Sequence, residues 1–404
     1  MKKEYKLTIF GDVMCEPPLL AKVKKGGKYD FKSALEPLGS ITERSDYVIA
    51  NLESPLAGES AGYSDTLFSF NTPDSVVGAL QNIGVKLVTT SNNHCLDRGI
   101  DGMIRTLDAL DSYGMAHTGT VRPGESAPYY VFKLGKTAVS IYNATYGTNY
   151  GKKQPLLGKK YGPCVNMIRE QTAPTMRPPY DPIYYAARDY IKALVSRELG
   201  REYIFRDGIG LNRALGLDVS YADDNYDEKD SRAPLKRVAQ DAKLAKANSD
   251  IALFLPHVGG QFNTRPGKFS EYIVNKALSF GFDGVVAAHS HTTQKAELID
   301  GRPVFWSLGN VTMSPKTEYA CLETLPEYGV AAHLYISDKK IARTAFSVYK
   351  IVEDEKKMRV VPVDVLYDRL KTGKEKALLL SDVISIVTRL TGEPDVIKSE
   401  YEVK

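Results

Sequence analysis

The sequence lacks the long apolar run that a membrane helix requires. Such a helix needs about 18 or more consecutive apolar residues, whereas the hydrophobic residues of this chain, 43% of the total, are spread over many short runs. The sequence therefore predicts no membrane span. With 404 residues, the chain is long enough to bury a large core, in two domains or in one domain with an insertion.

Cysteine is scarce and follows no recognisable pattern. The four cysteines, Cys15, Cys95, Cys164 and Cys321, have neither the paired spacing of a disulfide framework nor that of a cysteine zinc cage. Reduced thiols fit a cytoplasmic setting. Residues 1–5 lead directly into an apolar strand pattern and leave no room for a signal peptide, so we expect a cytoplasmic protein.

Neither sign of charge is in strong excess. The 53 basic and 49 acidic residues give a formal net charge of +4. No basic stripe with interleaved aromatic residues occurs, which argues against nucleic acid as a partner. No internal repeat or low-complexity tract is present either. The composition indicates a folded protein and says little more about function.

Histidine is also infrequent, but its placement is informative. Four of the six histidines lie in short polar clusters at the ends of apolar runs. Five of the runs have the pattern of buried strands: residues 7–10, 47–50, 87–90, 251–255 and 284–288. The polar clusters occupy residues 11–14, 51–53, 91–94, 257–261, 289–291 and 307–310.

This repeated placement predicts one binding site. In open α/β sheets, ligands bind in the crevice beyond the carboxyl ends of the strands. Carboxylate, amide and imidazole groups that are far apart in the sequence would therefore meet at one rim. Singly, the residues have simpler interpretations: Asp12 could cap a turn or a helix, and His257 could be a hydrogen-bonded rim histidine. Cys15 and Cys95 adjoin the clusters, but buried thiols are the commoner outcome.

The residue types indicate a metal site. Oxygen and imidazole donors without a cysteine cage suit zinc, manganese or iron better than calcium or magnesium. The spacing of His289 and His291 puts both side chains on the same side of an extended segment. The candidate ligands exceed the needs of one ion, and a carboxylate can bridge two ions about 3.5–4 Å apart. We therefore expect two divalent metal ions (Zn, Mn or Fe).

The order and content of the clusters resemble the CapA family, the proteins linked to poly-γ-glutamate capsule synthesis, within the calcineurin-like metallophosphoesterase superfamily. The resemblance spans about Leu7 to Asn310 and rests on the elements GDVM, NLE, NNH with Asp97 and Gly99, HVGG, HSH and SLGN. It implies an α/β fold in which two sheets form a four-layer α-β-β-α sandwich. It also implies a metal-dependent hydrolase.

The resemblance assigns roles to the cluster residues. His94 would stay off the metals as the proton donor to a leaving group, oriented by Asp97. Two ions would polarise a phosphoryl or carbonyl oxygen and lower the pKa of a bridging water towards roughly 7. The implied ligands are Asp12 and His291 for one metal, Asn93, His257 and His289 for the other, and Glu53 as the bridge.

The chain departs from the pattern at three places. Superfamily phosphatases usually begin with Asp-x-His, whereas Met14 occupies the histidine position here. The CapA group commonly shows this loss. The family also tends to have a glutamate where this chain has Gln261, and a basic residue soon after GDVM, where residues 15–17 are Cys-Glu-Pro. The missing histidine weakens a phosphatase interpretation, and the other two departures concern substrate recognition.

The regions between the clusters fit α/β alternation. Residues 129–134 and 137–143 predict a hairpin around Gly135-Lys136 that begins the second sheet. Glycines follow several of the helical patterns as stop signals. The predicted helices span residues 73–83, 99–114, 233–249 and 268–281.

Residues 1–337 are expected to form the metallophosphoesterase-like domain, with an insertion at about 146–231. A proline-rich loop at 178–182 followed by a helix over 184–199 is expected there. The insertion would lean over the rim and shape a pocket for an anionic or peptide-like substrate. The alternative is a surface decoration or a dimer contact.

After residue 337, a small α+β extension is expected to pack on the core. The alternation predicts strands over 329–337, 341–352 and 358–365, and an amphipathic helix over 375–391. His333 lies inside an apolar strand pattern and His117 lies between two glycines, so both are predicted to be structural. No catalytic cluster occurs in 338–404.

Two main classes of function follow. The first is a metal-dependent hydrolase acting on a phosphoester or on a γ-glutamyl or other amide bond, because fold alone does not determine the chemistry. The second is a metal-dependent peptide or amino-acid epimerase, in which the ions acidify a Cα–H beside a carboxylate or amide. A non-catalytic capsule-synthesis accessory protein is a third possibility, in which His94 and Asp97 would have no evident purpose.

Overall fold

The computed structural model describes residues 3–65, 69–149, 156–172, 223–224, 226–317 and 320–404. The proline-rich loop and the helix predicted within the insertion lie outside the described residues. The helices are α1 (Pro17–Val23), α2 (Lys32–Leu35), α3 (Gly39–Thr42), α4 (Ser75–Asn82), α5 (Gly99–Ser112), α6 (Gly158–Tyr161), α7 (Arg232–Asn248), α8 (Lys268–Ser279), α9 (Val363–Arg369) and α10 (Gly373–Thr391).

The strands form two large sheets and one short hairpin. They are β1 (Tyr5–Val13), β2 (Lys24–Lys25), β3 (Lys28–Tyr29), β4 (Tyr47–Leu52), β5 (Val85–Thr89), β6 (Ala116–Thr118), β7 (Tyr129–Leu134), β8 (Thr137–Thr145), β9 (Ile251–His257), β10 (Gly284–Val286), β11 (Ala296–Ile299), β12 (Arg302–Phe305), β13 (Asn310–Thr312), β14 (Tyr328–Ser337), β15 (Lys340–Glu353), β16 (Met358–Pro362) and β17 (Tyr401–Glu402).

Among the described residues, the first sheet has nine strands in the order β16-β15-β14-β1-β4-β5-β6, with β13 paired to β1 and β17 to β15. The second has six, in the order β11-β12-β10-β9-β8-β7. Strands β1, β4, β5 and β6 are parallel, as are β8, β9, β10 and β12. The polar clusters that follow these parallel strands therefore lie at the same edge of each sheet, beyond the strands' carboxyl ends.

The central strands have apolar residues on both faces. Each sheet therefore packs against the other sheet on one face and against helices on the other. In β9, Leu253 faces the core between the sheets, whereas Phe254 packs with the helices outside. In β4, Ile49 faces the inter-sheet core and Val48 packs with the outer helices. Both faces of each sheet are thus covered. The result is the predicted α/β four-layer α-β-β-α sandwich.

The predicted elements are largely confirmed. The five buried strand runs lie within or overlap β1, β4, β5, β9 and β10, and the four helices correspond to α4, α5, α7 and α8 with small differences at their ends. The predicted hairpin is β7-β8, at one edge of the second sheet. No helix among the described residues is long and apolar enough to cross a membrane.

The C-terminal part extends the first sheet, and Val383 and Val387 of α10 lie in the core cluster that residues of both sheets share. The strand predicted over 358–365 is wrong at its end, because β16 ends at Pro362 and α9 begins at Val363. Proline has no N–H for a further ladder bond, and the φ of −55° at Pro362 suits a helix start. The predicted helix over 375–391 is confirmed, and Thr372 and Glu375 form a capping box before it.

Candidate metal centre

Three side-chain atoms that could bind a metal lie close to Nε2 of His257, at the carboxyl end of β9. His257 Nε2 lies 2.8 Å from Asn93 Oδ1, 3.1 Å from His289 Nδ1 and 3.2 Å from Glu53 Oε1. Ligands at about 2.0–2.1 Å from a tetrahedral ion are separated by roughly 3.3 Å. A single ring nitrogen can satisfy only one of these neighbours through a hydrogen bond, so the set has the spacing of ligands around a cation.

Asp12 and His291 lie beside this set. His291 Nδ1 is 3.7 Å from Asp12 Oδ2, and its Nε2 is 3.9 Å from Glu53 Oε1. Two groups of donor atoms each lie within 4.8 Å of one another: Asp12 with Glu53 and His257, and Glu53 with His289 and His291. Glu53 belongs to both groups. The structure thus brings the six predicted ligands together, and their role as ligands stays a prediction.

Glu53 is the electrostatic centre of the cluster. Its side chain is fully buried, and within the described part of the chain neither carboxylate oxygen has a hydrogen-bond partner of good geometry. Burial alone would raise the pKa of Glu53, but His257 and His291 outweigh burial and lower it. A buried carboxylate that stays ionised without hydrogen bonds is a strong candidate for cation binding.

The neighbouring donors have perturbed pKa values as well. Burial, followed by the charge on Glu53, raises the pKa of Asp12 to about 6. Burial, followed by the charges on His257 and His291, holds the pKa of His289 well below its usual range. The imidazole of His289 is therefore neutral at pH 7, which is the form that binds metals. A cation between the two carboxylates would remove their mutual repulsion.

One ring nitrogen of His94 is bonded to a carboxylate that is not among the predicted metal ligands. Its Nδ1 donates to Asp97 Oδ2 at 2.7 Å, and the side-chain amide nitrogen of Asn149 lies 3.2 Å from the same Nδ1. The ring of Phe70 packs against the imidazole, with centroids 4.4 Å apart. Burial would lower the pKa of His94, but Asp97 outweighs it and raises the pKa. The pair therefore favours a protonated imidazole whose Nε2 is left for another partner.

Comparison with known proteins identifies the family of the chain. The model of the family described as "Bacterial capsule synthesis protein PGA_cap" matches residues 6–314. The chain belongs to this family. Residues 6–314 include all eight predicted site residues.

Similar proteins include capsule biosynthesis protein CapA of Bacillus anthracis, 22% identical over 308 residues, covering 75% of this chain and 58% of that protein. The uncharacterized protein y4sH of Sinorhizobium fredii is 26% identical over 239 residues, covering 57% of this chain and 50% of that protein. A solved structure titled putative 5'-nucleotidase from Staphylococcus aureus in complex with alpha-ketoglutarate is 13% identical, with a TM-score of 0.42, covering 95% of this chain and 59% of that chain. The match thus spans about half to three fifths of these proteins.

Two asparagines for which the sequence predicted no role form hydrogen bonds with predicted metal ligands of this PGA_cap chain. Asn51 Nδ2 donates to Asp12 Oδ1 at 2.7 Å, and Asn310 Oδ1 lies 2.9 Å from His291 Nδ1. When Asn310 accepts a hydrogen bond from a protonated Nδ1, the unprotonated Nε2 of His291 is free to bind a metal ion. Both asparagines lie in the polar clusters, so their placement was visible in the sequence. Their partners depend on strand register, since Asp12 pairs with Asn51 in β4 and with Asn310 in β13.

Tyr146 gave no sequence signal at all. Its ring packs against His289 with centroids 4.6 Å apart, and its backbone N–H donates to the His257 carbonyl at 3.0 Å. The guanidinium of Arg169 lies 5.3 Å from the centre of the Tyr146 ring. Tyr146 is only half-buried, so it forms part of the wall beside the predicted ligands.

Two residues at which the chain departs from the family pattern, Met14 and Cys15, are buried. The side chain of Met14 is buried in an apolar cluster with Val13 and Met313, and its backbone N–H and carbonyl are both bonded to the Thr312 hydroxyl. Met14 therefore contributes to packing. Cys15 and Cys95 are buried thiols whose pKa values burial raises to about 12. Among the described residues, neither donor group contains a cysteine.

The donor set fits divalent metal ions. Two carboxylates, one amide oxygen and three imidazoles suit zinc, manganese or iron, and the buried oxygens of Glu53 lack other partners within the described residues. The fit supports the prediction that the cofactors are divalent metal ions.

Proposed function

We propose that this chain is a hydrolase that depends on two divalent ions and cleaves a phosphoester or a γ-glutamyl or other amide bond. Asp12 and His291 would hold one ion, and Glu53 would bridge to the second. The second would be completed by Asn93, His257 and His289. The observation that carries the proposal is the buried Glu53 carboxylate, whose oxygens belong to both donor groups and lack hydrogen-bond partners among the described residues.

When bound, such ions supply a polarised substrate oxygen and a water whose pKa falls towards roughly 7. The chain's own residues set the orientation. Asn310 accepts from His291 Nδ1 and so directs Nε2 towards Glu53. Asn51 donates to Asp12 Oδ1 and thereby leaves Oδ2 for other contacts. Burial of all these groups excludes bulk water, which strengthens their electrostatic interactions.

His94 would act as the general acid. Asp97 holds its Nδ1 proton, so the proton delivered to a leaving group would come from Nε2. Asp97 also raises the pKa of His94, which favours the protonated imidazole that a general acid requires. The backbone N–H of Phe70 donates to the same Asp97 oxygen at 2.7 Å and fixes the carboxylate. Protonation of the leaving group by a positioned acid contributes about 10²–10⁴ in rate.

The substrate is proposed to be anionic or peptide-like. The names of two relatives, capsule biosynthesis protein CapA and PGA biosynthesis protein CapA, favour a γ-glutamyl bond over a simple phosphoester. Tyr146, at the start of the predicted insertion, packs beside His289, and we propose that this residue lines the substrate pocket. A location in the cytoplasm and a role in capsule or poly-γ-glutamate metabolism are part of the same proposal.

Hydrolysis of defined substrates tests this function. The metal-loaded protein would be incubated with poly-γ-glutamate, with γ-glutamyl anilides and with aryl phosphates, and products followed by chromatography and absorbance. We expect metal-dependent cleavage in at least one class, abolished by chelation and by Glu53→Gln. Metal binding without turnover on any class would favour an accessory protein that binds rather than cleaves.

A metal-dependent epimerase is the second candidate, and Met14 favours it. The position of the usual first-metal histidine is filled by a thioether within an apolar cluster, which leaves the first ion with fewer ligands and weakens a phosphatase mechanism. An epimerase would exchange the Cα hydrogen of a γ-glutamyl peptide for deuterium in D₂O without releasing an amine. Proton NMR of the same incubation distinguishes this exchange from hydrolysis.

A further inference from the structure

Arg389 is a buried guanidinium that contacts the loop carrying His289 and His291. It lies near the end of α10, and its Nη1 is 3.0 Å from Thr292 Oγ1 and 2.8 Å from the Thr324 carbonyl oxygen. The carbonyl and the hydroxyl of Thr293 are each 3.3 Å away. Burial lowers the pKa of Arg389 to about 10, so the group is charged at neutral pH.

Among the residues that the structure describes, Arg389 contacts no carboxylate. In the part of the chain that the structure describes, all four of its contacts are neutral oxygens of Thr292, Thr293 and Thr324. Removing a charge from water without an opposite charge is costly. A contact made only for stability would be served as well by an apolar side chain of similar length. The arrangement therefore points to a role for the specific hydrogen bonds.

The contacted loop has a backbone that requires support. His289 has φ 113° and His291 has φ 54°, both in the positive region that residues other than glycine rarely adopt. Such conformations persist only where the surroundings enforce them. Ser290 Oγ donates to the Thr292 carbonyl at 2.9 Å, and Thr292 Oγ1 donates to the Thr324 carbonyl at 2.8 Å. Arg389 donates to both members of the second bond, the Thr292 hydroxyl and the Thr324 carbonyl.

We propose that Arg389 is a positioning residue that holds the loop of residues 289–293 in the conformation that presents both histidines to the metal centre. The proposal rests on the proposed function, since it takes His289 and His291 as ligands. Arg389 lies beyond residues 6–314, the part matched by the family model. The C-terminal helix α10 would thus support the metal centre.

Metal affinity in position-389 variants tests this role. Loss of a group that orients metal ligands typically weakens binding about 10–100-fold, and we expect this loss in Arg389→Met, measured by competition with a chromogenic chelator. Arg389→Lys, which keeps one charged donor, should recover part of the affinity. The visible spectrum of the Co²⁺-loaded protein should change in Arg389→Met, because the imidazoles are displaced.

Asp382→Asn is the matched control on the same helix. Asp382 accepts a hydrogen bond from Tyr328 at 2.7 Å, and no contact of Asp382 with residues 289–293 occurs among the described ones. The control should keep the wild-type affinity and spectrum even if its melting temperature falls. Arg389→Met within twofold of wild type, or an equal loss in the control, would overturn the positioning role. Absence of metal binding by the wild type would instead overturn the proposed function, and this inference with it.

Discussion

His257 Nε2 lies 2.8 Å from Asn93 Oδ1, although 164 residues separate the two. His257 ends β9 in the second sheet, whereas Asn93 follows β5 in the first. The candidate centre is therefore built across the junction of the two sheets. A ligand that binds both residues would stabilise the docking of the sheets as well as the site itself.

Replacing Glu53 by Gln should remove more metal than replacing Gln261 by Ala. The carboxylate belongs to both donor groups and would supply charge to both ions, whereas an amide at position 261 can only orient groups or contact substrate. Elemental analysis of the purified variants measures the difference. Equal metal content in Glu53→Gln and Gln261→Ala would count against the bridging role.

His94→Ala should keep its metal but lose roughly 10²–10⁴ in turnover, the range for general acid catalysis. The loss should shrink for substrates with good leaving groups, since their departure needs little protonation. Rates over a series of leaving-group pKa values decide the matter. A loss that is the same for every substrate would refute the acid role, and loss of metal would make His94 a ligand.

His333 should make stability fall as the pH falls below about 6.5. Burial lowers its pKa to about 3, and its two ring nitrogens lie 3.0 Å from Thr8 Oγ1 and 2.9 Å from Ser347 Oγ. Because the folded pKa is below the unfolded value, only the unfolded chain gains the proton between about pH 6.5 and 3. The stabilisation is complete above that window and is lost through it, at up to about 1.4 kcal/mol per pH unit.

Urea unfolding of the metal-free protein between pH 5 and 6.5 measures this slope. In His333→Gln the slope should be shallower by about half a proton at pH 6.5 and by nearly one proton at pH 5, whatever the absolute stability. The matched control is His117→Gln, which removes a histidine that is partly exposed and lies 3.1 Å from Asp111. A slope in His333→Gln equal to that of the wild type would refute the prediction.

Gly11→Ala should damage both stability and metal binding. A Cβ at position 11 would lie 2.0 Å from the Gly309 carbonyl oxygen, and this oxygen accepts from the Asp12 N–H at 3.1 Å. The strands must move apart, at a cost of roughly 1–3 kcal/mol, and Asp12 moves with them. Gly39→Ala is the control, because nothing lies within 4 Å of its Cβ and its φ is −52°. Denaturant unfolding with elemental analysis should show a loss only in Gly11→Ala.

The strands and the site's composition could be predicted because both are local features of the sequence. Buried strands have continuous apolar runs, and ligand-type residues follow them directly, so Asp12, Glu53 and Asn93 could be placed at one rim before any coordinates. The end of β16 could not be placed, because the alternating pattern continues past Pro362 while the proline favours a helix start.

The supporting contacts could not be predicted, because they depend on register and on packing between distant elements. Asn310 reaches His291 only because β13 pairs with β1 so that Asn310 lies opposite Asp12. Arg389 and Thr292 are 97 residues apart, and no spacing rule links a position on an amphipathic helix with a loop in the other half of the chain. Such contacts require the three-dimensional structure.

Anomalous X-ray diffraction from crystals grown with Mn²⁺ or Zn²⁺ tests the central claim most directly. We predict two anomalous peaks, one near Asp12 and His291 and one near Asn93, His257 and His289. Both peaks should lie within about 2.0–2.3 Å of a Glu53 oxygen. The absence of any anomalous peak within that distance of Glu53, in crystals whose metal content is confirmed by fluorescence, would contradict the account.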